Sequence, residues 1–291
     1  MAANPRHILI LVPDPIYPEP WAWAFHVEAE VLRSAGFQVT ARPWTAPGDL
    51  QPFDAVLPLV VWGYHLRYAE WLALLDRLEG EQAPCINSPR LLRWNSDKAY
   101  LAQLDGSGVP TVRTLAVEAL DAAGLGRARA QFGCEQLVVK PAVSASAAGT
   151  FLLGPDDPVP DEAAGRRMLV QPFMGAIARD GEYSLMLFDG RFSHAIVKTP
   201  KSGDFRVQPH LGGSERPCPA PDGAIELALS ALAAAPAEAI YARVDMVADD
   251  AGQYRIMELE LIEPALWLQH APDGGAGFAS AIRRAIEQPL A

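Results

Sequence analysis

The chain has 291 residues, of which half are hydrophobic and a fifth are charged. A chain of this length and composition has enough apolar surface for a core, and we expect two or three subdomains. Its 24 Lys and Arg residues against 35 Asp and Glu give a net charge of -11, which argues against a general surface for nucleic acids or anionic membranes. An anionic substrate would need a local group of basic side chains, so the few lysines are informative.

The cysteines and the N-terminus argue against several further classes of protein. Cys85, Cys134 and Cys218 are widely spaced and form no CxxC pair, so they predict neither a disulfide framework nor a zinc site. The apolar run near the N-terminus ends at Pro13 and is too short for a signal peptide or a membrane span. By default, we expect a cytoplasmic protein with no membrane or nucleic-acid partner.

The first third of the chain alternates between strand and helix patterns. Strands are predicted at 7–13, 37–44 and 54–62, and helices at 21–36 and about 67–79. This order indicates a small open parallel sheet, in which ligands gather beyond the carboxyl ends of the strands. Trp62, Tyr64 and His65 follow the third strand and are therefore candidate substrate contacts. A packed loop without function is the alternative.

The central part combines lysines with a loop of small residues. Asn95-Ser96-Asp97 is typical of a helix cap and predicts a helix with Lys98 in its first turn. Lys140 ends a predicted strand, and the loop at 142–149 that follows is rich in Ala and Ser. Backbone amides exposed by small residues can bind phosphates, although no GxxxxGK[ST] motif is present. A strand end followed by an ordinary turn is the alternative.

The next segment holds a strand, a hairpin and a basic loop. The strand is predicted at 167–174, and the hairpin turns at Asp189-Gly190. The stretch at 201–217 is polar, basic and interrupted by glycines, so it is predicted to be a binding loop. Its candidate residues are Arg206, His210, Gly212 and Gly213. For its basic residues, as for Lys198 just before it, a solvated surface is the alternative.

A second predicted hairpin, of strands at 243–247 and 255–261, gathers three carboxylates. A turn at residue 251 or 252 puts Asp245 opposite Glu258. Strand alternation then places Glu260 on the same face as Glu258, and the apolar residues Met257, Leu259 and Leu261 on the opposite face. Crowded carboxylates repel one another unless a cation lies among them, and oxygen-only ligands suit Mg²⁺ or Mn²⁺. A solvated acidic face is the alternative. Arg243 shares this face and can pair with a hairpin glutamate or a substrate carboxylate.

The order of these motifs resembles the ATP-grasp superfamily. The nearest likeness is to glutathione synthetase and RimK-type carboxylate–amine ligases, and especially to the cycloserine-biosynthesis ligase group. It extends over about residues 53–268. The resemblance implies an α/β (α+β) ATP-grasp fold: an N-terminal pre-ATP-grasp open parallel sheet at 1–94, a central lid subdomain at 95–168, and a C-terminal antiparallel-sheet subdomain with the metal site at 169–291.

The resemblance also implies how ATP is bound. Lys98 and Lys140 match lysines near the α- and β-phosphates, and the loop at 144–149 matches the lid, although the family has more glycine there. The residues at 171–174 match the hinge, whose backbone would contact adenine. Glu182 matches the carboxylate that binds the ribose hydroxyls, with Asp180 as its rival. The full set is Lys98, Lys140, Ser144, Ser146, Gly149, Gln171, Pro172, Phe173, Met174, Asp180 and Glu182.

Catalytic and metal residues follow from the same resemblance. Lys198 and Arg206 match basic positions that face the γ-phosphate and the acyl phosphate. Asp245, Glu258 and Glu260 match the ligands of two Mg²⁺ (or Mn²⁺) ions, although glutathione synthetases often have Asn in place of Glu260. Candidate substrate contacts are Trp62, Tyr64, His65, His210, Gly212, Gly213, Arg243 and Trp267.

The implied activity is ATP-dependent activation of a carboxylate as an acyl phosphate, which a nitrogen nucleophile then captures with release of ADP and phosphate. The partners would be small-molecule carboxylate and amine substrates, and a homodimer is left open. Both intermolecular ligation and intramolecular ring closure, as in cycloserine-type biosynthesis, are compatible with the resemblance. A kinase-like phosphotransferase and a non-catalytic ATP-binding protein are the alternatives.

Overall fold

The computed structural model describes residues 5–207 and 211–288, and an open parallel sheet begins the chain. Its order is β2-β1-β3. The strands are β1 (His7–Val12), β2 (Gln38–Pro43) and β3 (Ala55–Leu57), and the helices beside them are α1 (Ala22–Ser34) and α2 (Tyr68–Gly80). The predicted parallel sheet is confirmed. β3 is shorter than predicted because Pro58, which has no N–H to donate, follows it directly.

The segment around Lys98 differs from the prediction. Asn95 ends helix α3 (Pro89–Asn95), which begins at the cap residue Ser88, and helix α4 starts only at Tyr100 (Tyr100–Gly106). Lys98 therefore lies between two helices, and the prediction of a helix with Lys98 in its first turn was wrong. The physical reason is tertiary: the buried Asn95 side chain bonds to the backbone of Leu259 and Leu261 instead of capping a helix.

A second sheet, the lid sheet, has four antiparallel strands in the order β4-β7-β5-β6. They are β4 (Leu115–Val117), β5 (Leu137–Pro141), β6 (Phe151–Leu153) and β7 (Met168–Pro172), and helix α5 (Ala122–Phe132) packs on them. Because β7 pairs with β5, this sheet extends to Pro172. The subdomain boundaries after residues 94 and 168 stay a prediction.

The third sheet is antiparallel, with the order β10-β9-β8-β11-β12. Its strands are β8 (Glu182–Phe188), β9 (Arg191–Thr199), β10 (Ser214–Cys218), β11 (Tyr241–Ala248) and β12 (Tyr254–Glu260), with helices α6 (Ile177–Asp180), α7 (Ala224–Ala233) and α8 (Ala276–Glu287). The turn predicted at Asp189-Gly190 is confirmed, since both residues have left-handed φ values of 50° and 66°.

The β11–β12 hairpin has the predicted register with one exception. Asp245 lies opposite Glu258, as predicted. A β-bulge follows, because Met246 pairs with Ile256 and Met257 is left as the extra residue. Met257 therefore leaves the apolar face of the hairpin and joins a cluster with Phe173 and Met174 near β7. Met257 packs among apolar side chains as predicted, but in a different cluster from Leu259 and Leu261.

The first and third sheets share one hydrophobic core. Ile8 and Ile10 of β1 pack in the same cluster as Met186 of β8, Tyr241 of β11 and Phe278 of α8. The carboxyl end of the parallel sheet is thereby held close to the β11–β12 hairpin. In the described part of the chain, no helix combines the length and apolar composition that crossing a membrane requires.

Candidate active site

The carboxylates of the β11–β12 hairpin lie at the centre of the site. In the register of the sheet, Asp245 is flanked by Ser184 of β8 and Glu258 of β12. Because β11 is an interior strand, Asp245 is buried, and the Ser184 hydroxyl donates to its Oδ1 at 2.5 Å. Glu260 lies further along β12, opposite Arg243. Strand pairing thus places three acidic side chains and one arginine in a single region.

Two buried cations hold Asp245. Arg243 donates from Nε to Oδ1 at 3.0 Å and from Nη2 to Oδ2 at 2.9 Å, and Lys198 Nζ lies 3.2 Å from Oδ2. Arg243 also pairs with Glu260, and Lys198 with Glu182. Burial by itself would raise the pKa of Asp245, but the two cations outweigh it and hold that pKa well below its usual range. Asp245 is therefore ionised across the physiological pH range.

Two lysines reach the hairpin from the lid side. Lys98 pairs with Glu258, and its backbone N–H donates to Ala142 O at 2.8 Å. Burial disfavours the charged form of Lys98, yet Glu258 reverses this and raises its pKa. Lys140 of β5 is also buried, and burial lowers its pKa to about 8 although Glu258 opposes the shift. Lys140 has no ion-pair partner among residues 5–207 and 211–288.

In this structure the three hairpin carboxylates do not converge on one position where a metal ion would bind. Within the described ranges, no three Asp, Glu, His or Cys side chains converge closely enough to hold a metal ion. Each hairpin carboxylate contacts a lysine or an arginine instead. Their chemistry nevertheless fits magnesium, because all three offer oxygen and none offers nitrogen or sulfur. The assignment of Asp245, Glu258 and Glu260 as metal ligands stays a prediction.

The predicted hinge begins within the end of β7, at Gln171 and Pro172, and borders an apolar cluster. The Gln171 amide donates to Thr114 Oγ1 at 2.8 Å, and the Phe173 N–H donates to Gln136 O at 3.1 Å, so part of the hinge is already bonded within the protein. The cluster comprises Val112, Phe173, Met174, Ile177, Phe205, Val207, Val247 and Met257. Pro172 precedes it at the end of β7. An apolar surface of this kind suits a flat heteroaromatic ring.

Glu182 and Asp180 occupy different environments. Glu182 is buried and paired with Lys198, so it belongs to the same charge network as Asp245. Burial raises the pKa of Glu182, although Lys198 opposes the shift. Asp180 ends helix α6 and pairs with its neighbour Arg179. The structure therefore brings Glu182, but not Asp180, to the central network.

The predicted lid loop follows Lys140 on β5. Ser144 is buried and donates to Pro141 O at 3.3 Å, whereas Ser146 and Gly149 are exposed. Ser146 and Ala147 have left-handed φ values of 52° and 58°. The loop therefore adopts glycine-like turns with few glycines, a conformation that is strained for residues with a side chain.

The turn after β3 places Tyr64 and His65 beside the network. Tyr64 is buried, with its ring centroid 5.3 Å from that of Trp71. His65 Nδ1 is buried without a partner among the described residues, and burial together with Lys98 lowers the His65 pKa. Trp62 lies 5.7 Å from Trp23, centroid to centroid. Of the three predicted contacts, His65 is thus within electrostatic reach of Lys98.

The basic loop is separate from the network. Arg206 Nη2 lies 2.9 Å from Oδ2 of Asp204, only two residues away, and the Arg206 side chain is 36% exposed. Gly212 has a left-handed φ of 92°, and Gly213 precedes β10. His210, another predicted contact, lies outside the described residues. In this structure, therefore, Lys198 joins the charge network whereas Arg206 pairs locally.

Comparison with known proteins points to one group of enzymes. Residues 18–87 match the family model described as "D-cycloserine synthetase DcsG, N-terminal domain". The cycloserine biosynthesis protein DcsG of Streptomyces lavendulae is 29% identical over 286 residues, which cover 89% of this chain and 92% of that protein.

Solved structures agree with this likeness. The crystal structure of D-cycloserine synthetase DcsG superimposes with a TM-score of 0.83 at 28% identity, covering 96% of this chain and 99% of the other. The ATP-grasp ligase PsnB, complexed with a minimal precursor, Mg and ADP, has the same fold, with a TM-score of 0.67 at 16% identity and coverage of 97% and 98%. The chain has the fold of these ATP-grasp ligases and resembles DcsG along nearly its whole length. The predicted likeness and fold class are confirmed.

Trp267, which the sequence offered only as a candidate substrate contact, lies beside the central network. Trp267 has a left-handed backbone, with φ 42° and ψ 44°, and its Nε1 donates to Glu215 Oε1 at 2.8 Å. Its ring centroid lies 5.2 Å from the Arg243 guanidinium and 5.9 Å from Lys198 Nζ. Trp267 therefore covers the two cations that hold Asp245, which favours their charged forms by cation–π attraction.

Two site residues were missed altogether. Met257 enters the hinge cluster only because of the bulge in β12, and nothing in the local sequence predicts a bulge. Glu263 lies three residues past Glu260, beyond the strand whose alternation located the other carboxylates. Burial, together with the negative charge of Glu260, raises the pKa of Glu263 to about 8. The sequence did offer one signal for Glu263, because it is the third glutamate within the six residues from Glu258 to Glu263.

Proposed function

We propose that this ligase activates the carboxylate of a small amino-acid-like acid and captures it with a nitrogen of the same molecule, closing a ring. The observation that carries the proposal is the meeting of Lys98 and Lys140 with the buried Asp245 network of the hairpin. Lys98 comes from the segment between α3 and α4, Lys140 from the lid sheet, and Asp245 from the third sheet. Such a concentration of buried charge is costly for stability and typical of a catalytic site.

The chemistry requires charge of both signs. A substrate carboxylate oxygen attacks the γ-phosphorus of ATP, the bond to ADP breaks, and an acyl phosphate forms. A nitrogen then attacks the acyl carbon, phosphate leaves and the nitrogen loses a proton. Negative charge crowds together in the first step, and nearby cations lower that barrier. Lys140 is buried and unpaired among the described residues, so we assign it to the ATP phosphates, with Lys98 and Lys198 beside it.

Asp245, Glu258 and Glu260 would hold magnesium, and we propose two ions. Bound magnesium would neutralise phosphate charge and orient the phosphates. The PsnB complex contains Mg and ADP, which supports ATP with Mg²⁺ as the cofactor pair. For these carboxylates to bind metal, their ion pairs with Lys98 and Arg243 must loosen, which the incoming phosphates could favour by attracting the same cations.

The likeness to DcsG supports ring closure in particular. The matched N-terminal model spans residues 18–87 and so includes the candidate substrate contacts Trp62, Tyr64 and His65. Closing cycloserine through its ring amide requires a linear acid that carries an aminooxy nitrogen. The acid obtained by hydrolytic ring opening of cycloserine is therefore the test substrate.

The experiment measures ADP, phosphate and product mass with this acid. We expect ADP release that depends on the acid, and a product lighter than the acid by one water. A product formed from two acid molecules would show that the enzyme joins separate molecules and does not close a ring. Hydroxylamine should trap the acyl phosphate as a hydroxamate. A stable phosphorylated product without hydroxamate would indicate a kinase, and binding of ATP without turnover of any acid would indicate a non-catalytic protein.

A further inference from the structure

Trp267 contacts three strands of the third sheet at once. Its ring centroid lies 5.2 Å from the guanidinium carbon of Arg243 on β11 and 5.9 Å from Nζ of Lys198 on β9. Its Nε1 donates to Oε1 of Glu215 on β10 at 2.8 Å. Glu215 lies directly opposite Lys198 in the pairing of β10 with β9. One buried side chain therefore joins the edge strand β10 to the two cations that hold Asp245.

The backbone of Trp267 is held in a conformation that a bulky residue rarely adopts. Its φ of 42° and ψ of 44° are left-handed, which is unfavourable for a residue with a large side chain. Trp267 O accepts from the His270 N–H at 2.8 Å, and Leu266 O accepts from His194 Nε2 at 3.0 Å. Leu266 and Leu268, on either side, are buried in the core that the first and third sheets share. The surrounding structure thus fixes a strained turn that presents the indole to the cations, and such strain is concentrated at functional sites.

An aromatic ring attracts a cation without neutralising its charge. Asp245 compensates both Arg243 and Lys198 in this structure. When Asp245 turns to magnesium, as proposed above, both cations lose that partner. The Trp267 ring still attracts them, because its quadrupole carries no net charge and does not compete for phosphate or metal. The bond to Glu215 fixes the rotation of the indole, so that the ring stays over the two cations.

We propose that Trp267 is a positioning residue, whose ring holds Lys198 and Arg243 in place for the γ-phosphate of ATP and whose bond to Glu215 holds the ring. This inference rests on the proposed function, because that function brings the phosphates of ATP to these cations. It gives Trp267 a role other than the direct substrate contact that the sequence suggested. It also gives Glu215, an exposed residue on an edge strand, a part in the same arrangement.

The test compares the affinities of a non-hydrolysable ATP analogue and of ADP, each titrated calorimetrically with Mg²⁺ present. Only the analogue carries a γ-phosphoryl group, so a loss confined to the analogue reports on the cations at that group. We expect Trp267→Leu, which removes both the ring and the N–H, to weaken the analogue about tenfold and ADP by less than about threefold. Trp267→Phe keeps a weaker ring without the N–H and should weaken the analogue about threefold.

Substitutions of Glu215 test the bond that holds the ring. Glu215→Ala should weaken the analogue by no more than Trp267→Phe, and the double variant should be no worse than Trp267→Phe alone, because both changes remove the same hydrogen bond. Glu215→Gln keeps an oxygen acceptor and should restore the native affinities. Trp94→Leu is the matched control, since Trp94 is half-buried and donates to Gln103 Oε1 at 2.7 Å. It should leave the ratio of the two affinities unchanged.

Equal weakening of both nucleotides by Trp267→Leu would make Trp267 a structural residue only and overturn the proposal, as would unchanged affinities. If Trp267→Leu does not fold, Trp267→Phe decides the same question by the same ratio. Additive losses in the double variant would overturn the part assigned to Glu215. If the preference for the analogue depends on Trp267 but no acid supports ADP release, the proposed function fails while the positioning role stands.

Discussion

The third sheet and the basic loop beside it hold their charges in different ways. Asp245 has partners on β8, β9 and its own strand, and all are buried. Among the described residues, Arg206 in the loop forms an ion pair with Asp204 alone, two residues away. Neighbouring strands can fix charged groups before any ligand arrives, because the ladder sets their spacing. A loop charge with one local partner can exchange that partner for a ligand at little cost.

This difference separates two roles within one site. The network of the sheet is preorganised, and the breaking of a buried pair leaves an uncompensated charge. The loop can reorganise, because its ion pair is half exposed and contributes little to stability. We therefore expect substitutions in the sheet to have large effects on both activity and folding, and substitutions in the loop to have small effects on folding.

The largest effect is expected for Asp245→Asn. Loss of this charge leaves Arg243 and Lys198 partly uncompensated, and we expect the rate of ADP release to fall about a thousandfold. The matched control is Asp250→Asn, an exposed carboxylate in the turn of the same hairpin, which should keep its activity. Nearly unchanged turnover in Asp245→Asn would mean that the hairpin is only an acidic face.

A pair of glycine substitutions compares the rigidity of the two regions. Gly181 precedes β8 with φ +82°, and an added Cβ would lie 2.7 Å from the backbone oxygen of Lys198. Gly212 in the loop has φ +92°, but an added Cβ would meet the flexible Lys201 side chain at 3.0 Å. We expect Gly181→Ala to lower the free energy of unfolding by about 3 kcal/mol and Gly212→Ala by about 1 kcal/mol. Urea denaturation measures both, and equal costs would contradict the comparison.

The pH dependence of ATP use tests the unpaired lysine of the lid sheet. Burial lowers the pKa of Lys140 to about 8, so its charge is present below that pH and lost above it. We expect kcat/KM for ATP to fall about tenfold per pH unit on the alkaline side, because this parameter reports the free enzyme. In Lys140→Arg the decline should move to higher pH, since a guanidinium stays charged. An unmoved alkaline limb would exclude Lys140 as its source.

The smallest effect is expected for Arg206→Gln. Within residues 5–207 and 211–288 its one ion pair is with Asp204, and its side chain is 36% exposed, so the melting temperature should hardly change. If the loop closes on the acyl phosphate, turnover should fall about tenfold through the loss of one charge-assisted contact. Arg216→Gln on the exposed strand β10 serves as the control. A loss as large as that of Asp245→Asn would place Arg206 with the preorganised network.

Short-range sequence patterns, such as strand alternation and turn residues, account for most of the structural features that the sequence predicted. The register of Asp245 and Glu258 follows from a two-residue period and a turn near residue 251, and the Asp189-Gly190 turn follows from residues that tolerate positive φ. Lys140 at a strand end was also predictable from the strand itself. Which basic residue joins the network was not, because Lys198 and Arg206 look alike in a polar sequence.

The sequence by itself determined the sheet types, the hairpin with its opposed carboxylates and the order of motifs that resembles ATP-grasp ligases. Period, turn chemistry and motif order can all be taken directly from the chain. Only the tertiary structure decided that Asn95 anchors the segment before Lys98 to the hairpin, that a bulge turns Met257 to the hinge, and that Glu263 has no ion-pair partner among the described residues. These outcomes depend on contacts between residues far apart in the chain. No local pattern carries that information.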